Sequence, residues 1–138
     1  MFIRPYNEAD FDAVASLWRT CFPDDPPHNR AEVAIPAKLA IQRELFLVAL
    51  SDESEVSGTA MAGYDGHRGW IYTVAVDPET RRNGIGKALV KEAITQLQLL
   101  GCSKVNLQIR EGNEAVIAFY ATLGFVTEPR TSMGIRLD

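Results

Sequence analysis

One stretch constrains the fold of this chain more than any other. It reads Val74-Ala75-Val76-Asp77-Pro78-Glu79-Thr80-Arg81-Arg82-Asn83-Gly84-Ile85-Gly86-Lys87-Ala88-Leu89. Residues 70–76 (WIYTVAV) are rich in aromatic and β-branched types, which suit a pleated, half-buried surface. Asp77-Pro78 stops that strand, because proline brings no donor to a ladder. Beyond the turn, Ile85, Leu89, Ala93, Leu97 and Leu100 make one apolar stripe over 84–100, and Gly101 sits where a left-handed closing residue belongs. A strand that passes through a basic, glycine-bearing turn straight into a long helix requires a sheet with helices packed on it.

The rest of the chain supplies those layers. Residues 2–4 read as a short strand, and Asn7 as the cap of a helix that buries Phe11, Val14, Leu17 and Trp18. The segment 22–29 carries Pro23, Pro26 and Pro27 and is a loop. Asn29, with Glu32 three residues on, predicts a second helix, which Pro36 should break or kink, giving two short pieces up to about Gln42. The apolar run 45–50 is a strand buried on both faces. A polar turn at 51–55 leads to the second arm of a hairpin at 56–64, and a turn at 65–69 to the strand at 70–76. Residues 105–109 alternate as a strand. Asn113 opens a last helix closed by Gly124, and 125–126 and 133–137 are predicted as terminal strands.

The chain has 138 residues, 46% hydrophobic and 23% charged, so one core and one domain over 1–138 are expected. The net charge is −4, which argues against a general nucleic-acid binder, since those carry a basic face. No apolar run approaches the roughly 20 residues of a membrane span, and the start lacks a signal peptide's basic and apolar regions. A cytoplasmic location without a membrane partner is expected. Cys21 and Cys102 have no metal-like spacing and read as reduced core thiols. No metal is expected.

The turn carries the chemistry. A helix start offers unpaired N–H groups and the positive end of the helix dipole. Glycines 84 and 86 let a phosphate approach the backbone, and Arg81, Arg82 and Lys87 add positive charge. A dinucleotide fingerprint would need glycine or alanine at Leu89, and a Walker loop would need glycine at Arg81 and Ser or Thr at Ala88. Neither pattern fits. Arg81-x-x-Gly84-x-Gly86 after a strand ending in V-D-P resembles the diphosphate-binding motif of the GNAT acetyltransferase superfamily, small single-domain bacterial members included. Asn113, Tyr120 and Leu123-Gly124-Phe125 resemble that superfamily's downstream signature.

The resemblance implies an α/β fold of α+β type: a mixed, mostly antiparallel central sheet, about four helices, and in the middle a splayed parallel pair, here 70–76 and 104–110. It implies transfer of an acetyl group from acetyl-CoA to a primary amine by direct attack. The acceptor is a small molecule, a peptide N-terminus or a lysine, and the chain a monomer or homodimer. By the same resemblance the backbones of Val74 and Val76 hold the pantetheine arm, Arg81, Arg82, Asn83, Gly84, Ile85, Gly86 and Lys87 hold the diphosphate, and Asn113 bonds the arm or nearby backbone. Tyr120 meets the cofactor's sulfur as general acid. For the base, Glu111, Tyr72, Asp65 and His67 are all open. Tyr64, Trp70 and Tyr72 are candidates to line the acceptor pocket. The alternative is a module on the same fold that binds acyl-CoA and senses it without catalysis.

Overall fold

The apolar run that reads as a two-faced strand becomes β2 (Phe46–Leu50), whose first four residues are all buried. In this computed structural model, which describes residues 1–138, β2 lies between β1 (Phe2–Pro5) and β3 (Val56–Tyr64). β3 pairs in turn with β4 (Gly69–Val76), and β4 with β5 (Val105–Asn106). All neighbours are antiparallel except β4 and β5, which are parallel. The chain forms two units, Met1–Gln108 and Ile109–Asp138.

In the first unit helices cover both sheet faces. α1 (Phe11–Cys21) and α2 (Ala31–Leu39) bring Val14, Trp18 and Ile35 against Phe46, Met61 and Ala75. Trp18 Nε1 donates to Thr59 Oγ1 at 2.9 Å, so the one polar atom of a buried indole is satisfied. Asn7 and Asp10 form a capping box ahead of α1. The Asp10 carboxylate also takes both terminal nitrogens of Arg4, at 2.7 and 2.9 Å, which ties β1 to the start of α1. α3 (Ile85–Leu99) covers the other face through Ile85, Leu89, Ala93 and Leu97. Its closeness explains two glycines. A Cβ on Gly58 would lie 2.9 Å from the Ile85 and Leu89 side chains, and one on Gly69 would lie 3.0 Å from the Leu97 side chain and 2.8 Å from Cys102 Sγ just beyond the helix. In the second unit α4 (Glu114–Ala121) is capped by the Asn113 side chain and followed by Gly124 at φ 95°. No helix is long and apolar enough to cross a membrane.

Several expectations are corrected. Pro36 does not break α2, which runs through it. Proline leaves the Glu32 carbonyl without its helical donor, but Glu32 and Pro36 are both exposed, so water can take that bond. Asn29 ends a single 3-10 turn, and Arg30 is the residue before α2, with no side-chain cap. Leu100 is 45% exposed and lies outside the buried stripe. Only Val105 and Asn106 of the strand expected over 104–110 pair with β4. Residues 125–126 and 133–137 form no strand, and Val126, Met133, Ile135 and Leu137 are each more than 80% exposed. Alternation alone makes no strand where no neighbour takes the backbone groups. The parallel pair therefore stands at the edge of the five strands, not in their middle.

Candidate active site

Two irregularities set β4 apart from the other strands. The first is where its neighbour stops. β5 pairs with Gly69 and Trp70 alone, so from Ile71 to Val76 that side of β4 has no strand beside it. Val74 and Val76, both partly exposed, lie in this stretch. The second is a bulge: Thr59 faces Ala75 and Met61 faces Tyr72, which leaves two residues of β4 opposite Ala60. Thr73, one of the two, has φ 51°. A β-branched residue in the left-handed region is a genuine outlier, costs about 1–3 kcal/mol, and persists only where its surroundings hold it. Bulges re-aim backbone groups beside functional sites.

Beyond Val76 the chain turns through Pro78–Thr80, shaped by the Asp77 side chain accepting from Glu79 N at 2.9 Å. Arg82 (φ 74°) and Gly84 (φ 76°) both take left-handed backbone. Gly84 is the residue before α3, no side chain caps that end, and no acidic residue stands in the first turn. The first helical bond runs from Ala88 N to Gly84 O at 3.0 Å. The N–H groups of Ile85, Gly86 and Lys87 precede it and have no helical acceptor, as at any helix start. A Cβ on Gly84 would meet nothing within 4 Å. Arg81, Arg82 and Lys87 flank these donors, and Arg82 to Gly84 are exposed. A hollow of about 230 Å³ lined by Ser51, Asp52, Ser57, Thr80, Asn83 and Ile85 borders the turn. A larger groove of about 480 Å³ runs along α1 past Asp10, Leu17, Glu55 and Asp77 and contains none of the residues expected to act.

The aromatic candidates lie at the other end of β4. Trp70 and Tyr72 point the same way and are 36% and 41% exposed. Gly63 stands opposite Trp70, and Met61 opposite Tyr72. Partial burial raises the Tyr72 phenol above its ordinary value, so it holds its proton. Tyr64 has its backbone N–H and C=O bonded to the Gln42 side chain. Asp65 is occupied: it accepts from Arg68 N at 2.7 Å and His67 N at 2.8 Å, and those bonds hold its carboxyl below the usual carboxylate range. His67 is exposed beside the Arg68 guanidinium. No group of three or more His, Cys, Asp and Glu side chains is placed to hold a metal.

In the second unit Glu111 is exposed in the turn before α4. The Asn113 carbonyl oxygen accepts from Val116 N at 3.4 Å, as a helix cap. Tyr120 is 8% exposed and lies edge-on between Phe119 and Phe125, with ring centroids 5.0 and 5.5 Å away. Burial pushes its phenol up to about 12. A phenol so held stays protonated at neutral pH and keeps an O–H to donate.

Sequence reasoning missed three residues. Thr73 gave no signal, because a bulge shows only in strand register. Lys38 and Gln42 sit in a segment read as a broken helix, yet both bond the backbone of β3.

The Acetyltransferase (GNAT) family profile matches residues 11–125. The chain is 41% identical to an acetyltransferase of Pectobacterium atrosepticum, over 99% of this chain and 96% of that one. Among solved structures, Ard1 from Thermoplasma volcanium matches with TM-score 0.80 at 25% identity, over 91% of this chain and 82% of that one. The NatC complex bound to Gag peptide and CoA matches with TM-score 0.78 at 26% identity, over 94% and 86%. The mixed sheet, whose parallel pair ends short of a bulge with an uncapped basic helix start beyond it, is the fold these solved acetyltransferase-family neighbours share. The chain belongs to the GNAT family and is an acetyltransferase.

Proposed function

We propose that this chain transfers the acetyl group of acetyl-CoA to a primary amine, with 1–138 acting as one catalytic domain. One observation carries the reading: the α3 start, uncapped by any side chain, free of acidic residues and entered through left-handed Arg82 and Gly84. Such an end suits a diphosphate, because its N–H groups and dipole favour an anion and no Cβ at Gly84 or Gly86 stands in the way. The NatC structure, a neighbour with CoA bound, supports the same cosubstrate.

The residues divide the work as follows. The amides of 82–87 bind the diphosphate, with Arg81, Arg82 and Lys87 adding charge. The β4 backbone at Val74 and Val76, beyond the end of β5, takes the pantetheine amides as an added strand would. Asn113 caps α4 and helps bind the arm. Acetyl-CoA supplies an acetyl thioester. An alkylammonium loses its proton at neutral pH at a cost of about 4–5 kcal/mol, and the exposed Glu111 is the carboxylate we put forward to receive it. Tyr120, which keeps its proton until about 12, donates to the departing sulfur, and as the amide forms the nitrogen's second proton returns to the phenol oxygen, so that the sulfur leaves as a thiol of pKa about 8.5 and Tyr120 ends protonated. Tyr64, Trp70 and Tyr72 line the acceptor side. A tyrosine that keeps its proton at neutral pH suits catalysis better than a sensing module on the same fold.

Calorimetry with CoA and acetyl-CoA, followed by thiol release with an amine panel, tests the reading. Heat from both cosubstrates and amine-dependent thiol release are the expected results. Absence of heat at millimolar cosubstrate would end it.

A further inference from the structure

Lys38 is a buried cation that the proposed chemistry does not use. It lies in the last turn of α2 and is 6% exposed. Its Nζ donates to the Ala62 carbonyl and stands 5.7 Å from the centre of the Tyr72 ring. Its one charged neighbour, Glu44, is exposed and forms no ion pair with it.

Part of this is edge closure. β2 pairs with β3 only as far as Met61, so residues 62–64 have no strand on that side. Lys38 bonds Ala62 O, and the Gln42 amide takes Tyr64 N at 2.9 Å and Tyr64 O at 3.0 Å. Closing an edge needs only a neutral donor, as Gln42 demonstrates two residues away. Burying an ammonium for the same purpose costs more desolvation than burying an amide. Edge closure therefore leaves the charge at position 38 unexplained.

Gly63 shows where the charge is directed. A Cβ built there would have as its three nearest atoms Gln42 Oε1 at 3.7 Å, Tyr72 Oη at 3.8 Å and Lys38 Nζ at 3.9 Å. All three are polar head groups, and they converge on a partly exposed glycine beside the exposed Trp70 and Tyr72. An ammonium has three donors, and Ala62 uses one. The geometry points to Lys38, with the Tyr72 hydroxyl, as a subsite that receives a carboxylate carried by the amine acceptor. This rests on the proposed acetyl transfer and narrows it: the acceptor is an amino acid or a like molecule with both an amine and a carboxylate. Burial lowers the Lys38 pKa and Glu44 raises it, so a bound carboxylate acts in the same sense as Glu44 and holds the ammonium charged. Gln42 fixes Tyr64 at the rim, and Gly63 keeps the approach clear.

The test uses matched pairs: glycine, β-alanine and 4-aminobutyrate, each against its carboxamide. With acetyl-CoA, the parent chain should favour at least one carboxylate by about tenfold or more in kcat/KM. Lys38→Met should remove that preference while acetyl-CoA affinity stays as it was, and Lys38→Arg should keep part of it. Gly63→Ala is the second variant. Its added methyl makes only ordinary contacts with the chain, so it should fold as the parent does and raise KM for the carboxylate member alone. In parallel, the free protein is titrated with the same pairs while backbone amide resonances are followed. The carboxylate members should move Gly63 and Tyr72, and the carboxamides should not. No preference in any pair, or a preference that survives both Lys38→Met and Gly63→Ala, overturns the proposal. If calorimetry finds no acetyl-CoA binding, the acetyl-transfer reading falls, and the amide titration alone decides the carboxylate subsite.

Discussion

The amide of Ala88 bonds to the carbonyl of Gly84 at 3.0 Å, and that bond is the first of α3. Gly84 therefore does two things at once. It accepts the bond that starts the helix, and it turns the chain into it at φ 76°.

These two roles separate in a Gly84→Ala variant. A Cβ there meets nothing within 4 Å, so the chain itself pays only the left-handed strain, about 1–2 kcal/mol. The open space is where a diphosphate would approach. Affinity for CoA should fall by about tenfold or more, beyond anything the modest loss of stability explains. Calorimetry and a urea melt on the same sample check it. A stability loss of the stated size with unchanged CoA affinity would show that nothing approaches the backbone at Gly84.

Tyr120 yields a kinetic and a pH prediction. Tyr120→Phe should lower kcat by roughly a hundredfold and leave CoA affinity nearly intact. Its folded phenol is raised to about 12, above an ordinary value of about 10. The folded state thus holds a proton that the unfolded state has lost. The associated stability is complete below about pH 10 and disappears as pH rises toward 12, a loss of about 2–3 kcal/mol. Urea melts from neutral to strongly alkaline pH should show this slope in the parent and a reduced one in Tyr120→Phe, since Tyr6 and Tyr72 are also raised. Equal slopes would mean that Tyr120 ionises as freely when folded.

What could be read from the sequence was what neighbours in the chain decide. Asn7 ahead of α1, the stripe Ile85, Leu89, Ala93 and Leu97, and Gly101 at φ 89° depend on residues within a turn or two. The same holds for β3, whose bounds are those set by the polar turns on either side of it. The misses share one cause, which is that distant partners decide them. Pro36 stays helical because the bond it removes faces solvent, and no local rule shows which way a helix is turned. Residues 107–110, 125–126 and 133–137 have strand-like composition but no strand to pair with. Of the candidate site, the strand, glycine-bearing turn and helix start over 70–87 were legible because they are contiguous. Lys38 and Thr73 were not, because each takes its meaning from β3, and 24 residues separate Lys38 from the carbonyl it bonds.

The Arg4–Asp10 pair makes a prediction at acid pH. Arg4 and the Asn7 amide both donate to the Asp10 carboxylate, and with the guanidinium's bond dominant they hold its pKa below the ordinary value. A depressed carboxyl contributes stability above its unfolded value, about 3.9, and loses it as pH falls through the folded value. The parent should therefore weaken steeply below about pH 4. Asp10→Asn should be less stable at neutral pH by about 1.5–3 kcal/mol, the worth of hydrogen bonds to a charged group, and its acid slope should be shallower. Denaturant melts across that range decide it, and parallel curves for parent and variant would count against the assignment.

Thr73 carries the last prediction. Glycine in the middle of a strand ordinarily costs about 0.5–1 kcal/mol in chain entropy, and losing a threonine's packing adds to that. Thr73, however, sits at φ 51°, where a β-branched residue is strained by about 1–3 kcal/mol and glycine is not. The two effects oppose each other, so Thr73→Gly should leave the urea midpoint nearly where it was. The bulge relaxes, and the backbone beyond β5's end is no longer held in one arrangement. Turnover should then drop while stability does not. A protein destabilised by more than about 1 kcal/mol would mean that Thr73 supplies packing that outweighs its strain. Unchanged turnover would mean that the shape of β4 at the bulge has no part in aiming the acetyl group.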